Sequence, residues 1–156
     1  MLKRTSKQLS LFSSLEDMLS HQHPLFQLSN KINWECFENA FSPLYCNTNG
    51  RPAHPIRLMC GLLILKHLRN VSDEMVVSQW SENAYYQYFC GGLEFMPKQP
   101  CDASELVHFR NRIGEEGMEL ILAESIRVNT DHDDEDHFDT AFIDSTVQEK
   151  NITYPT

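Results

Sequence analysis

One carboxylate has a position suited to catalysis. Asp144 closes a short apolar run, Ala141-Phe142-Ile143, and is followed by Ser145 and Thr146. A carboxylate at the end of a strand has a fixed direction and suits a hard divalent cation, which takes oxygen ligands. A residue that only opens a turn would stand in the same place, and spacing alone leaves both readings open. The acids just before it, in DHDDEDH over 131–137, are contiguous rather than set at ligand offsets. With no calcium-loop glycine among them, they read as a solvated linker. His21 and His23 read as surface rather than as a ligand pair. Cys36, Cys46, Cys60, Cys90 and Cys101 are odd in number and lack the close pairing of a zinc site. They read as reduced, partly buried thiols.

Binding phosphate asks for cations instead. The chain has 156 residues, 41% of them hydrophobic and 22% charged, with a formal net charge of −9. That charge argues against nucleic acid only until it is divided. Residues 1–112 hold 11 Lys and Arg against 10 Asp and Glu, whereas residues 113–156 hold 2 against 12. The acidity belongs to the last third, so a DNA-facing surface has to be sought before residue 113. Candidate contacts there are Lys3, Arg4 and Lys7 at the start, Arg51 and Arg57 around residue 55, Lys66, His67 and Arg69, then Arg110 and Arg112. Arg110 and Arg112, two apart on a helix, point in different directions.

Helical periodicity dominates the part that must position these cations. Short helices are expected over 14–20 and over 33–41, where Trp34, Phe37 and Phe41 share a face. The strongest expectation is a buried central helix over 55–70, PIRLMCGLLILKHLRN, with Pro55 in its first turn and Lys66, His67 and Arg69 near its end. Ser72 caps a further helix over 72–83, and the tight joint between the two resembles a helix-turn-helix. In AYYQYFCGG, the side chains of Tyr85, Tyr86, Tyr88 and Phe89 have core spacing, with one or two left to face a base or partner. Asp102 and Glu105 form a capping box for a helix over 103–114. Met118, Ile121, Leu122 and Ile126 mark one side of a last helix over 115–128. Beyond the acidic stretch, 138–156 has β character, with a turn at Glu149-Lys150-Asn151. No apolar run reaches the roughly 20 residues of a membrane span, and no signal-peptide core follows Met1. A cytoplasmic, soluble chain with no membrane partner is expected.

Three stretches, PIRLMCGLLILKHLRNVSDEMVVSQWSENAYYQYFCGG, HFRNRIGEEGMELIL and FIDSTVQEKNITYPT, carry a family resemblance. Over residues 20–156 the chain resembles the bacterial insertion-sequence transposases of the DDE type with an InsH-like N-terminal domain. That resemblance implies a helical DNA-binding domain over 1–130, an acidic linker over 131–137, and the first hairpin of an RNase H-like catalytic domain over 138–156. The expected fold class is thus mainly α, ending in an incomplete β-hairpin. By the resemblance, Asp144 is the first of three metal-binding carboxylates, two Asp and one Glu. In the complete enzyme they would hold Mg2+ ions about 3.5–4 Å apart, which stabilise the attacking and leaving oxygens in phosphodiester cleavage. Glu149 is the only acid after Asp144 here and sits in the same hairpin. These 156 residues alone are therefore expected to bind no metal and cut no DNA. The implied partners are the element's terminal inverted repeats, a second copy of the chain, or a complementing transposase chain. A DNA-binding repressor of transposition and an inactive gene remnant are the two alternatives.

Overall fold

A computed structural model describes residues 14–45 and 53–130, and the described part is helical. Its elements are α1 (Leu15–Met18), α2 (Pro24–Lys31), α3 (Trp34–Phe41), a 3-10 turn (Ser42–Leu44), α4 (Ile56–Arg69), α5 (Asp73–Trp80), α6 (Ala84–Phe89) and α7 (Ala103–Thr130). The expected hairpin over 138–156, the acidic linker over 131–137, Asp144, Cys46, Arg51, Lys3, Arg4 and Lys7 all lie outside the described residues.

Local chemistry sets most helix starts. Side chains of Ser14, Asn33, Ser72 and Asn83 each accept a backbone N–H of the first turn of the helix that follows. At α7 the Glu105 carboxylate reaches back to accept the Asp102 N–H at 2.8 Å, as in a capping box. α4 ends at Asn70, whose left-handed backbone (φ 52°) an asparagine tolerates better than most residues. The three residues that follow α4 are 70–72, so the short joint between α4 and α5 is present.

α4 is the axis of the bundle. Every residue from Leu58 to Leu65 is buried, which leaves the helix no solvent face over two turns. α3, α5 and α7 pack around it, while α2 pairs with α6. The aromatic side chains Phe37, Phe41, Phe89 and Phe109, with Trp34 at the edge, supply much of the side-chain volume.

Three expectations need correction. α2 was not anticipated, although Pro24 at its first turn and the pattern Leu25, Phe26, Leu28 are helix signals. Its cap is a histidine: the His23 ring nitrogen Nδ1 accepts the Leu25 N–H at 3.1 Å. The helix expected over 72–83 stops at Trp80, because Asn83 starts α6. Finally, the last helix turns only part of the expected side inward: Ile121 is buried and Met118 packs against the core. α7 breaks at Gly114 (φ 66°, ψ −170°), a conformation that suits glycine, and beyond it Gly117, Ile121, Glu124 and Val128 are buried. Leu122 and Ile126 stay about half exposed, at 47% and 43%. The inward stripe includes a carboxylate that a hydrophobic pattern passes over. Glu124 goes inside because it accepts the Asn33 N–H at 2.9 Å and the Arg127 Nε–H at 3.0 Å. The Arg127 hydrogen bonds and the Asn33 N–H hold its carboxyl below the usual range, against burial.

Candidate nucleic-acid interface

Five of the cations singled out in the sequence lie in the described helices, and the bundle treats them in three ways. Lys66 and Arg110 are brought together, but by an acid. Asp73, in the first turn of α5, takes the Lys66 ammonium at 3.0 Å and both Arg110 terminal nitrogens at 2.8 and 2.7 Å. The fork-on-carboxylate geometry is the strong form of this contact. Arg110 and Lys66 hold the Asp73 carboxyl down at about 2, although its burial pulls the other way. The joint between α4 and α5 is therefore locked by an ion triad. Lys66 and Arg110 are thereby turned onto Asp73 rather than outward, and Asp73 and Glu74 make the start of α5 acidic.

Arg69 and Arg112 form the second class. Both are exposed, and each guanidinium lies over a tyrosine ring: Arg69 over Tyr86 at 5.9 Å, Arg112 over Tyr45 at 4.3 Å. Among the described residues neither has an ion-pair partner. Stacking restrains the side chain, and although Arg112 also hydrogen-bonds the Tyr45 hydroxyl, N–H groups remain to meet an anion. As expected, Arg110 and Arg112 point different ways. His67, near Arg69, is exposed too.

Arg57 is the third class. Its guanidinium is half-buried over the Trp34 ring at 4.6 Å. Nε donates to the Phe89 carbonyl at 3.4 Å and Nη2 to Ser29 Oγ at 3.0 Å. Gly91 stands against its stem: a Cβ there would come within 2.9 Å of Arg57 Cδ, and the backbone has φ +90°. Burial lowers the Arg57 pKa from its ordinary value. Beside it opens a cavity of about 260 Å3, whose lining includes Ser29, Asn30, Trp34, Tyr88 and Gly91. The sequence marked Arg57 as a candidate but held no sign of this cavity, which joins residues from α2, α3, α4 and α6.

The aromatic segment divides as its spacing foretold. Tyr86 and Phe89 are buried; Tyr85 and Tyr88 are half-buried, their hydroxyls bonded to the Ser20 N–H and to Asn30 Oδ1. Tyr85 also stacks on His23 with centroids 3.8 Å apart, so His23 belongs to a packed joint rather than to free surface.

Four of the five cysteines are described, and all four are free thiols. Burial pushes the Cys60 and Cys90 thiols far up, and Cys101 to about 12, which makes them poor nucleophiles and poor ligands. Among the described residues no group of three or more His, Cys, Asp or Glu side chains is placed to hold a metal ion. No described helix is long and apolar enough to cross a membrane.

Residues 13–112 match the family described as a transposase domain (DUF772). The chain is also similar to "Uncharacterized protein ORF8 in nfe locus" of Rhizobium meliloti, with 39% identity over 144 residues. That alignment covers 91% of this chain and 69% of the relative. No solved structure matches.

Proposed function

Since the chain belongs to the DUF772 transposase domain family, we propose that its helical unit binds the DNA ends of an insertion sequence. The observation that carries this reading is the pair Arg69 and Arg112. Both cations are exposed, restrained on tyrosine rings and without a carboxylate partner among the described residues. They suit phosphate contacts, which fix register on a duplex without reading sequence. Lys66 and Arg110 support the interface indirectly, by fixing α5 and α7 against the end of α4. In this reading the whole transposase cuts and rejoins DNA with Mg2+. Asp144 supplies one carboxylate of that site, and the remaining acids come from elsewhere than these 156 residues. The chain alone binds ends and does not cleave.

Fluorescence anisotropy with a duplex from the element's terminal repeat, and with a scrambled duplex, tests the binding. Affinity should fall steeply between about 50 and 200 mM salt, and Arg69→Ala or Arg112→Ala should each flatten the log–log salt slope by about 1. Binding that ignores salt, or variants with unchanged slopes, would refute the assignment. Incubation with Mg2+ tests the second half. Strand cleavage by the 156-residue protein that disappears in Asp144→Asn would sink the claim that it cannot cut.

A further inference from the structure

We propose that the cavity beside Arg57 is a phosphate-binding pocket. The cavity is about 260 Å3, and no acidic side chain lines it. Its one charged group is the Arg57 guanidinium, and no carboxylate lies within ion-pair distance of that group among the described residues. A half-buried cation without a counter-charge is costly, and a bound anion removes the cost.

The donors around the cavity select the kind of anion. Two of the five guanidinium N–H groups are engaged, to Phe89 and Ser29, and the others carry no hydrogen bond among the described residues. Ser29 Oγ accepts from Arg57 and keeps its own proton to donate. Asn30 uses its Oδ1 for the Tyr88 hydroxyl, which turns its amide N–H2 to other partners. Three donor groups thus converge from α2 and α4 with no side-chain carboxylate among them. That set fits an oxyanion with several acceptor oxygens, and a guanidinium fork pairs with two of them. The volume is roughly nine times the share of one water in the liquid, enough for a phosphate group with part of its hydration. Trp34 beneath Arg57 and Gly91 against its stem hold the fork in place before any ligand arrives.

A phosphodiester of DNA and a free phosphate offer the same chemistry, so the pocket does not depend on the DNA-binding reading. The test is isothermal titration of the 156-residue protein with inorganic phosphate, against sodium chloride of matched ionic strength. Saturable binding with one site per chain is expected. Asn30→Asp sets a carboxylate on the pocket wall as a built-in competitor, at an exposed position where the shape of the side chain is kept. It should weaken phosphate binding at least tenfold without lowering the unfolding temperature. Arg57→Lys, which keeps charge but loses the fork, should weaken it as well; if that variant is unfolded, Asn30→Asp decides. Repeating the titration with duplex DNA present separates the sources. Displacement of phosphate by the duplex assigns the pocket to a backbone phosphate. Phosphate bound alongside the duplex, or with no duplex binding at all, assigns it to free phosphate and leaves the pocket standing. No phosphate binding by the wild type, or equal binding by Asn30→Asp, overturns the proposal.

Discussion

Replacing Asp73 by asparagine removes one charge from the joint between α4 and α5 while nearly preserving its shape. In the folded chain Arg110 and Lys66 lower the Asp73 carboxyl from 3.8 to about 2. At about 1.36 kcal/mol for each tenfold change, that corresponds to about 2.4 kcal/mol of preference for the ionised form. Some of it is lost to solvent screening, because the Lys66 and Arg110 side chains remain 27% and 26% exposed. After Asp73→Asn both cations can rehydrate, so the larger penalty of stranding a fully buried charge does not apply. The expected cost near neutral pH is therefore about 1–2 kcal/mol. A carboxyl lowered on folding stabilises the native state above its unfolded pKa and stops doing so as pH falls through the folded value. The wild type should accordingly lose this increment as pH falls from about 4 to about 2, and the variant should not. Urea unfolding followed by circular dichroism at a series of pH values measures both curves. Glu74→Gln, an exposed acid in the same helical turn, is the control and should stay within about 0.5 kcal/mol. If Asp73→Asn costs the same at pH 7 and pH 2, or no more than the control, the ion triad does not hold the joint.

Two further perturbations probe the supports of the interface. Gln87 is fully buried and uses its amide to hold the backbone of Met96, donating to its carbonyl at 2.8 Å and accepting its N–H at 2.7 Å. Gln87→Leu should cost about 2–4 kcal/mol in denaturant unfolding, since it leaves buried polar groups unpaired, and should speed proteolysis after Leu93 and Phe95. His23 caps α2 through a neutral ring nitrogen; burial first, then the nearby Arg69 charge, lower its pKa below 6.5. A base whose pKa falls on folding stabilises the native state above its unfolded pKa and loses that contribution as pH falls through the folded value. The melting temperature should thus drop on acidification below about 6.5 in the wild type and drop less in His23→Asn, which keeps a capping acceptor.

Features that depend on near neighbours were readable from the chain. The central helix showed itself because apolar residues cover all its faces, and the Ser72 cap showed itself because a cap needs only the next three residues. Gly114 ended one helical arm where the spacing ended it. α2 leaves a weak signal in the sequence because its cap is a histidine, a residue with no strong N-cap signature, and because Ser29 and Asn30 dilute its apolar face. Leu122 and Ile126 share an apolar side with Met118 and Ile121 along the sequence, yet they stay exposed. Burial there follows Glu124, whose partners Asn33 and Arg127 become visible only in three dimensions.

The cations show why an interface is harder to read than a core. Lys66, Arg57 and Arg69 look alike along the chain, all on one helix with no acid between them. Their roles are decided by residues 7 to 44 positions away: Asp73 and Arg110 for Lys66, Trp34, Ser29 and Gly91 for Arg57, Tyr86 for Arg69. A cation beside a carboxylate is consumed by the fold, whereas a cation over an aromatic ring keeps its N–H groups and its charge. The net charge of a segment counts both kinds equally. The near balance of residues 1–112 therefore includes a partly neutralised share, the Asp73 triad with two cations on one carboxylate, and an unspent share, Arg57, Arg69 and Arg112. On the proposed reading, duplex binding rests on Arg69 and Arg112, and it should survive neutralisation of Lys66 but not of Arg69 together with Arg112.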